Sequence, residues 1–571
     1  MADVTAPGQF YEITDLTIGG VRYRGFRNAP KSLRELFDLA RGRGDDVFLV
    51  YEDERWSYAQ VMASVDALGA ALVNGYQVHK GDRVAIGMRN LPEWVIAFGA
   101  IHSVGAVSVS LNAWWSGEEL GRALEDSGTA VLIADVHRAQ RAAPACRRLG
   151  IPIIVARSEP GGLDEILPNS VSRAGGGAAP PPLARWEDVV VPGAPLPEVA
   201  IDPEDDATIL YTAGTTAFPR GAVSTQRAVL QALTAFGCRV AVEQARDPDN
   251  PGWGEHPVSI LAVPLFHVTG CIPVMLAALA VGMRLVIMHH WDPEEALELI
   301  ERERVTTFVG VPTESWDLLQ ALRTHERDTS SLVNIAGGGA PAPPALARAV
   351  KDRFSNAAPS IAYGMTETNA YGPGNFGEDY LTHPESVGRA VPILEIEIRD
   401  RTGVPVPVSH SGEIWLKGPN LIRGYWNSPE DTAKALVDGW LRTGDLGHLD
   451  EEGFLYIEDR VKDVVLRGGE NIFSPEVEAV LYEHPAVLEA AVFGVPDERL
   501  GEELAAAVTV REGHEVTAEE LQAHVAARLA SFKVPSLITI THERLPRSAV
   551  GKILKREIRS SFYGRHAGQN A

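Results

Sequence analysis

From residue 57 to about residue 303, apolar runs of strand length take turns with apolar-periodic stretches of helix length, and this alternation narrows the fold more than any other feature. Ser57 followed by Gln60 reads as a capping box opening a helix over residues 58–75. Strand 83–88, helix 92–104, strand 106–111, helix 118–125 and strand 130–134 follow. The pattern resumes in strands 258–263 and 284–288 and helix 293–303. Strands separated by helices cannot form hairpins, so they imply parallel sheets covered on both faces. Between them, residues 159–197 are rich in Gly and Pro without periodicity and read as a surface loop. The texture changes near Gly388, where short alternating runs at 412–417 and 453–457 suggest antiparallel β structure. Beyond Arg460 it becomes compact α+β: Ser474 and Pro475 start a helix, 487–495 reads as a strand, and Thr517 with Glu520 caps another helix. The expected architecture is α/β. It has a large N-terminal domain (residues 1–460) of parallel and mixed sheets flanked by helices plus a β subdomain, and a small α+β C-terminal domain (461–571). A chain of 571 residues exceeds what one core usually organises.

A net charge of −24 repels nucleic-acid phosphates and anionic lipid surfaces, so nucleic acid is not an expected partner, and a phosphate-bearing ligand needs local positive groups. Cys146, Cys238 and Cys271 lie far apart in no metal-ligand spacing and read as reduced, buried thiols of a cytoplasmic protein. No basic stretch followed by an apolar core marks a secretory signal near the start. Residues 259–283 lack Asp, Glu, Lys and Arg, but Pro264, His267, Thr269, Gly270 and Pro273 interrupt them, which favours two buried segments over a membrane span.

The strongest local chemical signal is YTAGTTAFPRG, residues 211–221. After a strand, a loop of glycine and small hydroxyl residues can aim backbone N–H groups and the hydroxyls of Thr212, Thr215 and Thr216 at phosphate oxygens, with Arg220 adding fixed charge. No G-x-x-x-x-G-K-[ST] occurs, so the phosphate site differs from a standard P-loop. GGGAP at 337–341 loosely fits a dinucleotide fingerprint through Gly337, Gly339 and Ala342, but Pro341, Pro343 and Pro344 crowd the helix start.

With YGMTE (363–367), GWLRTGD (439–445), PLFHVTG (264–270), DRVKD (459–463), RGGENIFSPEVE (467–478) and PRSAVGK (546–552), the chain resembles the adenylate-forming superfamily of acyl-CoA synthetases, adenylation domains and luciferases from about residue 57 to residue 555. The resemblance implies activation of a carboxylic acid by ATP to an acyl-adenylate, then transfer to coenzyme A. It implies that Thr212, Gly214, Thr215, Thr216 and Arg220 hold the ATP phosphates, with Glu367 and Thr212 at a Mg²⁺ ion. It places the adenine among Gly338, Gly339, Ala340, Tyr363 and Gly364, the α-phosphate on Thr366, and the ribose on Asp445 with Arg460. Lys552 meets the charge developing between the carboxylate and the α-phosphate, and His267 borders the reacting acid. The mobile C-terminal domain turns about Lys462 and brings residues 467–471, Gly469 among them, to the coenzyme A tunnel.

Relative to the family's usual T-S-G-T-T-G-x-P-K-G, the chain has Ala213, Ala217 and Arg220, which alter the phosphate loop rather than the reaction type. By position, His267, Val268, Gly270, Val311, Gly337, Gly338 and Met365 line the acid pocket. These segments carry no Lys, Arg or Asp to meet a second charge, which leans toward a medium or long fatty acid or another hydrophobic acid. Competing readings are an adenylating enzyme with an amine or carrier-protein acceptor, a dinucleotide-dependent oxidoreductase, and a non-catalytic nucleotide-binding scaffold. Stable membrane insertion is not expected, and a homodimer is left open.

Overall fold

A computed structural model describes residues 3–159, 162–166, 182–212, 219–247, 252–254, 256–340, 342–354, 356–460, 463–467, 470–497, 499–548 and 551–566. Among these residues, two eight-stranded sheets, both largely parallel, form the N-terminal body. The first has Arg83–Gly87 at its centre between Val107–Ser110 and Val131–Asp135; Asp206–Thr212 continues it in parallel beside Val107–Ser110, followed by the antiparallel strands Arg220–Thr225 and, at the edge, Gly424–Tyr425. The second runs from Gly374–Phe376 through Ala358–Ala362, Asn334–Gly338, Thr307–Gly310, Val258–Leu261 and Arg284–Ile287 to Val47–Tyr51 and Glu54–Ser57.

Helices fill the space between and around the sheets, as the alternation requires. In Pro92–Ser103 every residue is buried, so its sequence shows no polar face; Trp94 at its centre is 0% exposed. The capping box at Ser57 and Gln60 opens the helix Tyr58–Asn74, and Pro293–Glu303 forms the helix read from its periodicity.

The β subdomain is a five-stranded antiparallel sheet including Glu395–Arg399, Gly412–Lys417, Trp440–Leu449 and Leu455–Arg460. The C-terminal unit packs the long pair Val487–Asp497 and Gly501–Val510 against the helices Ser474–Tyr482 and Ala518–Ala526. The Thr517–Glu520 capping box forms there. Ser474 does not cap its helix; Phe473 holds that position, and the Ser474 N–H instead donates to Asp459 at the end of the β subdomain.

Two expectations change. The stretch read as a loop over 159–197 contains a helical turn Leu163–Ile166 and the strand Leu183–Arg185, which pairs in parallel with Ile153–Ala156, followed by Trp186–Val189. Three residues are too few for a periodicity to register. Residues 259–283 do become two buried segments, but the second begins as a wide helix, Gly270–Leu276, interrupted by Pro273. No helix among the described residues is long and apolar enough to cross a membrane.

Candidate active site

The two sheets, the β subdomain and the C-terminal unit enclose a cleft of about 3390 Å³. Strand Asp206–Thr212 delivers Thr212 to its rim, and its antiparallel neighbour delivers Arg220 opposite, with Thr212 Oγ1 donating to the Arg220 carbonyl at 3.4 Å. Gly214, Thr215 and Thr216, and with them Ala213 and Ala217, lie outside the described residues, as do Lys462 and Gly469.

Arg220 does not stand alone. Its guanidinium carbon lies 4.2 Å from the Tyr425 ring centroid, and Nη1 is 3.9 Å from Asp431. The Tyr425 hydroxyl donates to Glu367 Oε1 at 2.7 Å. Burial, followed by the Glu367 charge, pushes the Tyr425 phenol upward, so it stays a protonated donor. One aromatic ring therefore joins the loop's arginine to the carboxylate of YGMTE. Sequence reading missed Tyr425; the signal was an aromatic pair, Tyr425 and Trp426, directly after Arg423 and Gly424.

The segment that carries Glu367 is held in an unusual backbone. Thr366–Thr368 make one tight helical turn, after which Asn369 and Ala370 have φ of 54° and 61°. Asn369 accepts from Ser224 and donates to the Asn420 carbonyl, while Asn420 donates back to the Thr368 carbonyl, each at 2.9 Å. Gly364 is required here, since a Cβ would sit 2.6 Å from the Ala370 carbonyl oxygen. Among the described residues no three His, Cys, Asp or Glu side chains gather as metal ligands. Glu367 alone suits a Mg²⁺ ion that arrives on a polyphosphate, because Mg²⁺ keeps most of its oxygen ligands from water and phosphate.

Across the cleft, the Tyr363 hydroxyl donates to Asp445 Oδ2 at 2.5 Å, and the Asp445 N–H donates to Thr443. Asp445 is 5% exposed and pairs in register with the backbone of Arg460. Gly338, Gly339 and Ala340 line the cleft at the end of strand Asn334–Gly338.

The C-terminal unit supplies the last group. The Ser548 N–H donates to the Lys552 carbonyl at 2.7 Å, and the Gly551 N–H donates to the Ser548 carbonyl at 2.9 Å. The aliphatic end of Lys552 passes over Gly339: a Cβ there, where φ is +76°, would be 3.7 Å from the lysine Cε. Val311 flanks the crossing, within 3.1 Å of the Cβ position of Gly551. Nearby in the chain, Arg544 bridges Glu489 of its own unit at 2.7 Å and Asp317 of the helix Pro312–Thr324 at 3.2 Å.

Burial and then the Lys552 charge hold His267 down to about 3, so its ring is neutral. The Thr269 N–H donates to His267 Nδ1 at 3.4 Å, which leaves the ring proton on Nε2. His267, Val268, Gly337, Gly338 and Met365 all reach the cleft. Gly270 does not belong with them: a Cβ there would lie 2.3 Å from the Pro264 carbonyl oxygen, so that glycine permits a close backbone crossing.

Two family models match the chain: AMP-binding enzyme over residues 36–426 and the AMP-binding enzyme C-terminal domain over 476–552. A feruloyl-CoA synthase of Amycolatopsis sp is 36% identical, with 89% of this chain and 94% of the relative covered. A long-chain-fatty-acid–CoA ligase of Bacillus subtilis is 33% identical over 92% and 93%. The solved o-succinylbenzoate CoA synthetase of Bacillus subtilis, in complex with an acyl-adenylate intermediate, is similar with a TM-score of 0.74 and 29% identity, covering 93% of this chain and 98% of that one. The chain belongs to the AMP-binding enzyme family and resembles its acyl-CoA synthetases.

Proposed function

We propose that this protein uses ATP to convert a hydrophobic carboxylic acid into its acyl-adenylate and then transfers the acyl group to coenzyme A, releasing AMP and pyrophosphate. The observation that carries the reading is the position of Lys552 across Gly339 and beside His267, on the same cleft as Glu367 and Asp445. A cation held where an acid oxygen and an α-phosphate would meet favours the in-line displacement, whose catalysis rests on positioning and charge stabilisation. Tyr363 aligns Asp445 as acceptor for both ribose hydroxyls, while Thr366 and the rim residues Thr212 and Arg220 address the phosphates. Neutral His267 presents an Nε2–H to the acid without adding charge. Glu367, aligned by Tyr425, would hold Mg²⁺, which supplies neutralisation of phosphate charge when bound.

In this reading the N-terminal domain ends at Arg460 and the C-terminal domain turns about Lys462 between the two half-reactions. That turn takes Lys552 off the nucleotide and brings Gly469 toward coenzyme A. The position of Lys552 corresponds to the adenylating arrangement. The test is isotopic. Acid labelled with ¹⁸O in its carboxylate should give AMP carrying one label and, with coenzyme A, a thioester carrying the other. Unlabelled AMP would overturn the reading.

A further inference from the structure

The helix Gln226–Arg246 sends one side chain into the cleft that the nucleotide chemistry does not use. Arg239 lines the cleft and lies between two aromatic rings, 4.2 Å from the Phe376 centroid and 5.3 Å from that of Phe236. Its Nη1 is buried and has no hydrogen-bond partner, and Arg239 forms no ion pair among the described residues. The carboxylate one helical turn along, Glu243, pairs with Arg246 at 3.2 Å instead. Burial lowers the guanidinium to about 10, so it remains charged at neutral pH. Glu243 still offsets part of the Arg239 charge but is shared with Arg246, so a half-buried guanidinium with one unpartnered buried nitrogen gains from a further anionic partner.

The surrounding sheet is shaped for such a ligand. Gly338, Ala362 and Gly374 are register partners on three adjacent strands and so share one face. The next row on that face holds Ala336, Ser360 and Phe376. The opposite face, with Ile335 and Phe308, packs under the helices Pro293–Glu303, Pro312–Thr324 and Ala345–Arg353. The face toward Arg239 is thus a floor of small side chains ending at Phe376. At its far end a Cβ on Gly374 would meet the Phe376 ring at 2.5 Å and the Arg239 Nη1 at 2.9 Å, so this glycine keeps the floor open beside the guanidinium. Gly338 and Gly374 are two strand spacings apart, roughly 10 Å. The fully buried Tyr371 hydroxyl also lacks a partner, and the Arg239 charge opposes the upward push that burial gives this phenol.

We propose that Arg239 is a specificity residue that binds a second carboxylate at the distal end of the acid, so that the substrate class is hydrophobic acids carrying two carboxylates about 10 Å apart. This rests on the adenylating reading above and revises the expectation that no charged side chain meets the far end of the substrate. The floor accepts a flat or unbranched apolar body, and the planar guanidinium fork pairs with the terminal carboxylate in a bidentate manner.

The test compares pyrophosphate release with straight-chain and aromatic dicarboxylic acids against monocarboxylic acids of matching size. Wild type should show a higher kcat/KM for the best diacid than for its matched monoacid. In Arg239→Met, whose side chain suits the aromatic surroundings, that ratio should fall about 10- to 100-fold, the worth of a charge-assisted hydrogen bond. Arg239→Lys should recover part of it. As a readout independent of turnover, the diacid should raise the wild-type melting temperature more than the monoacid does, and high salt should reduce the difference. A wild-type preference for monoacids throughout, or an equal loss with both acids in Arg239→Met, would overturn the assignment while leaving adenylation intact. Pyrophosphate release with no acid at all would instead remove the adenylating reading and this one with it.

Discussion

At the scale of single residues, two side chains define what the site can do electrically. His267 is held neutral by burial and by Lys552, down to about 3. A base whose folded value lies below its unfolded value binds its proton only when the chain unfolds. Stability from this group is therefore complete above about pH 6.5 and is lost as pH falls toward 3. Wild type should lose about 1.4 kcal/mol per pH unit below 6 from this group, a slope that His267→Gln should lack. Urea midpoints measured from pH 7 to pH 4 would check it; parallel curves for the two proteins would refute the neutral, buried histidine. Tyr425 acts through Glu367. Removing its hydroxyl in Tyr425→Phe keeps the ring under Arg220 but releases the carboxylate, and loss of a hydrogen bond to a charged group is worth about 1.5–3 kcal/mol. The expected result is a tenfold or greater drop in kcat/KM for ATP, partly relieved by raised Mg²⁺. Titration of ATP turnover against Mg²⁺ reads both effects.

At the scale of elements, what was legible in the sequence and what was not divide by the sequence distance of the partners. Capping boxes at Ser57 with Gln60 and at Thr517 with Glu520 are satisfied within three residues, and both form. The helix Pro293–Glu303 is likewise announced by its own proline, N-cap and periodicity. Ser474 and Pro475 do start the helix Ser474–Tyr482, but the bond from the Ser474 N–H to Asp459 lies outside that element and has no local signal. Tyr425 and Glu367, Asn369 and Ser224, and Arg239 and Phe376 are each set by contacts 58 to 145 positions apart, and no local pattern announces them. The motif YGMTE could be read as functional, yet the left-handed pair Asn369–Ala370 that turns the chain after it could not. Because Asn369 bonds Ser224 and the Asn420 carbonyl from a conformation that asparagine tolerates, Asn369→Leu should both strain the backbone and strand two buried partners. A loss of about 2–4 kcal/mol in unfolding free energy and a weakened ATP affinity are expected. Thermal unfolding with isothermal titration of ATP would measure them together, and unchanged stability would deny the segment its locked geometry.

At the scale of the molecule, the site is complete only when two separately folded parts meet. The C-terminal unit has its own core around Val477, Leu481 and Val492, so its docking is a question of a few contacts rather than of folding. Arg544 to Asp317 is one such contact, and both side chains are partly exposed. An exposed pair contributes about 0.2–1 kcal/mol, enough to shift a balanced open–closed equilibrium a few-fold but not to lock it. Asp317→Asn keeps the oxygen that accepts from Trp291 and weakens only the bridge to the other unit. Adenylate formation should slow about two- to fivefold at low salt, with the difference vanishing at high salt. Lys552→Ala removes the delivered charge itself. Adenylation should then fall by about 100-fold or more, while thioester formation from supplied acyl-adenylate should fall far less if, as proposed, the C-terminal unit turns and takes the lysine off the site for the second half-reaction. Single-turnover measurement of each half-reaction separates the two. Equal losses in both would mean that the C-terminal unit keeps Lys552 over Gly339 throughout, and the turn between half-reactions would have to be abandoned.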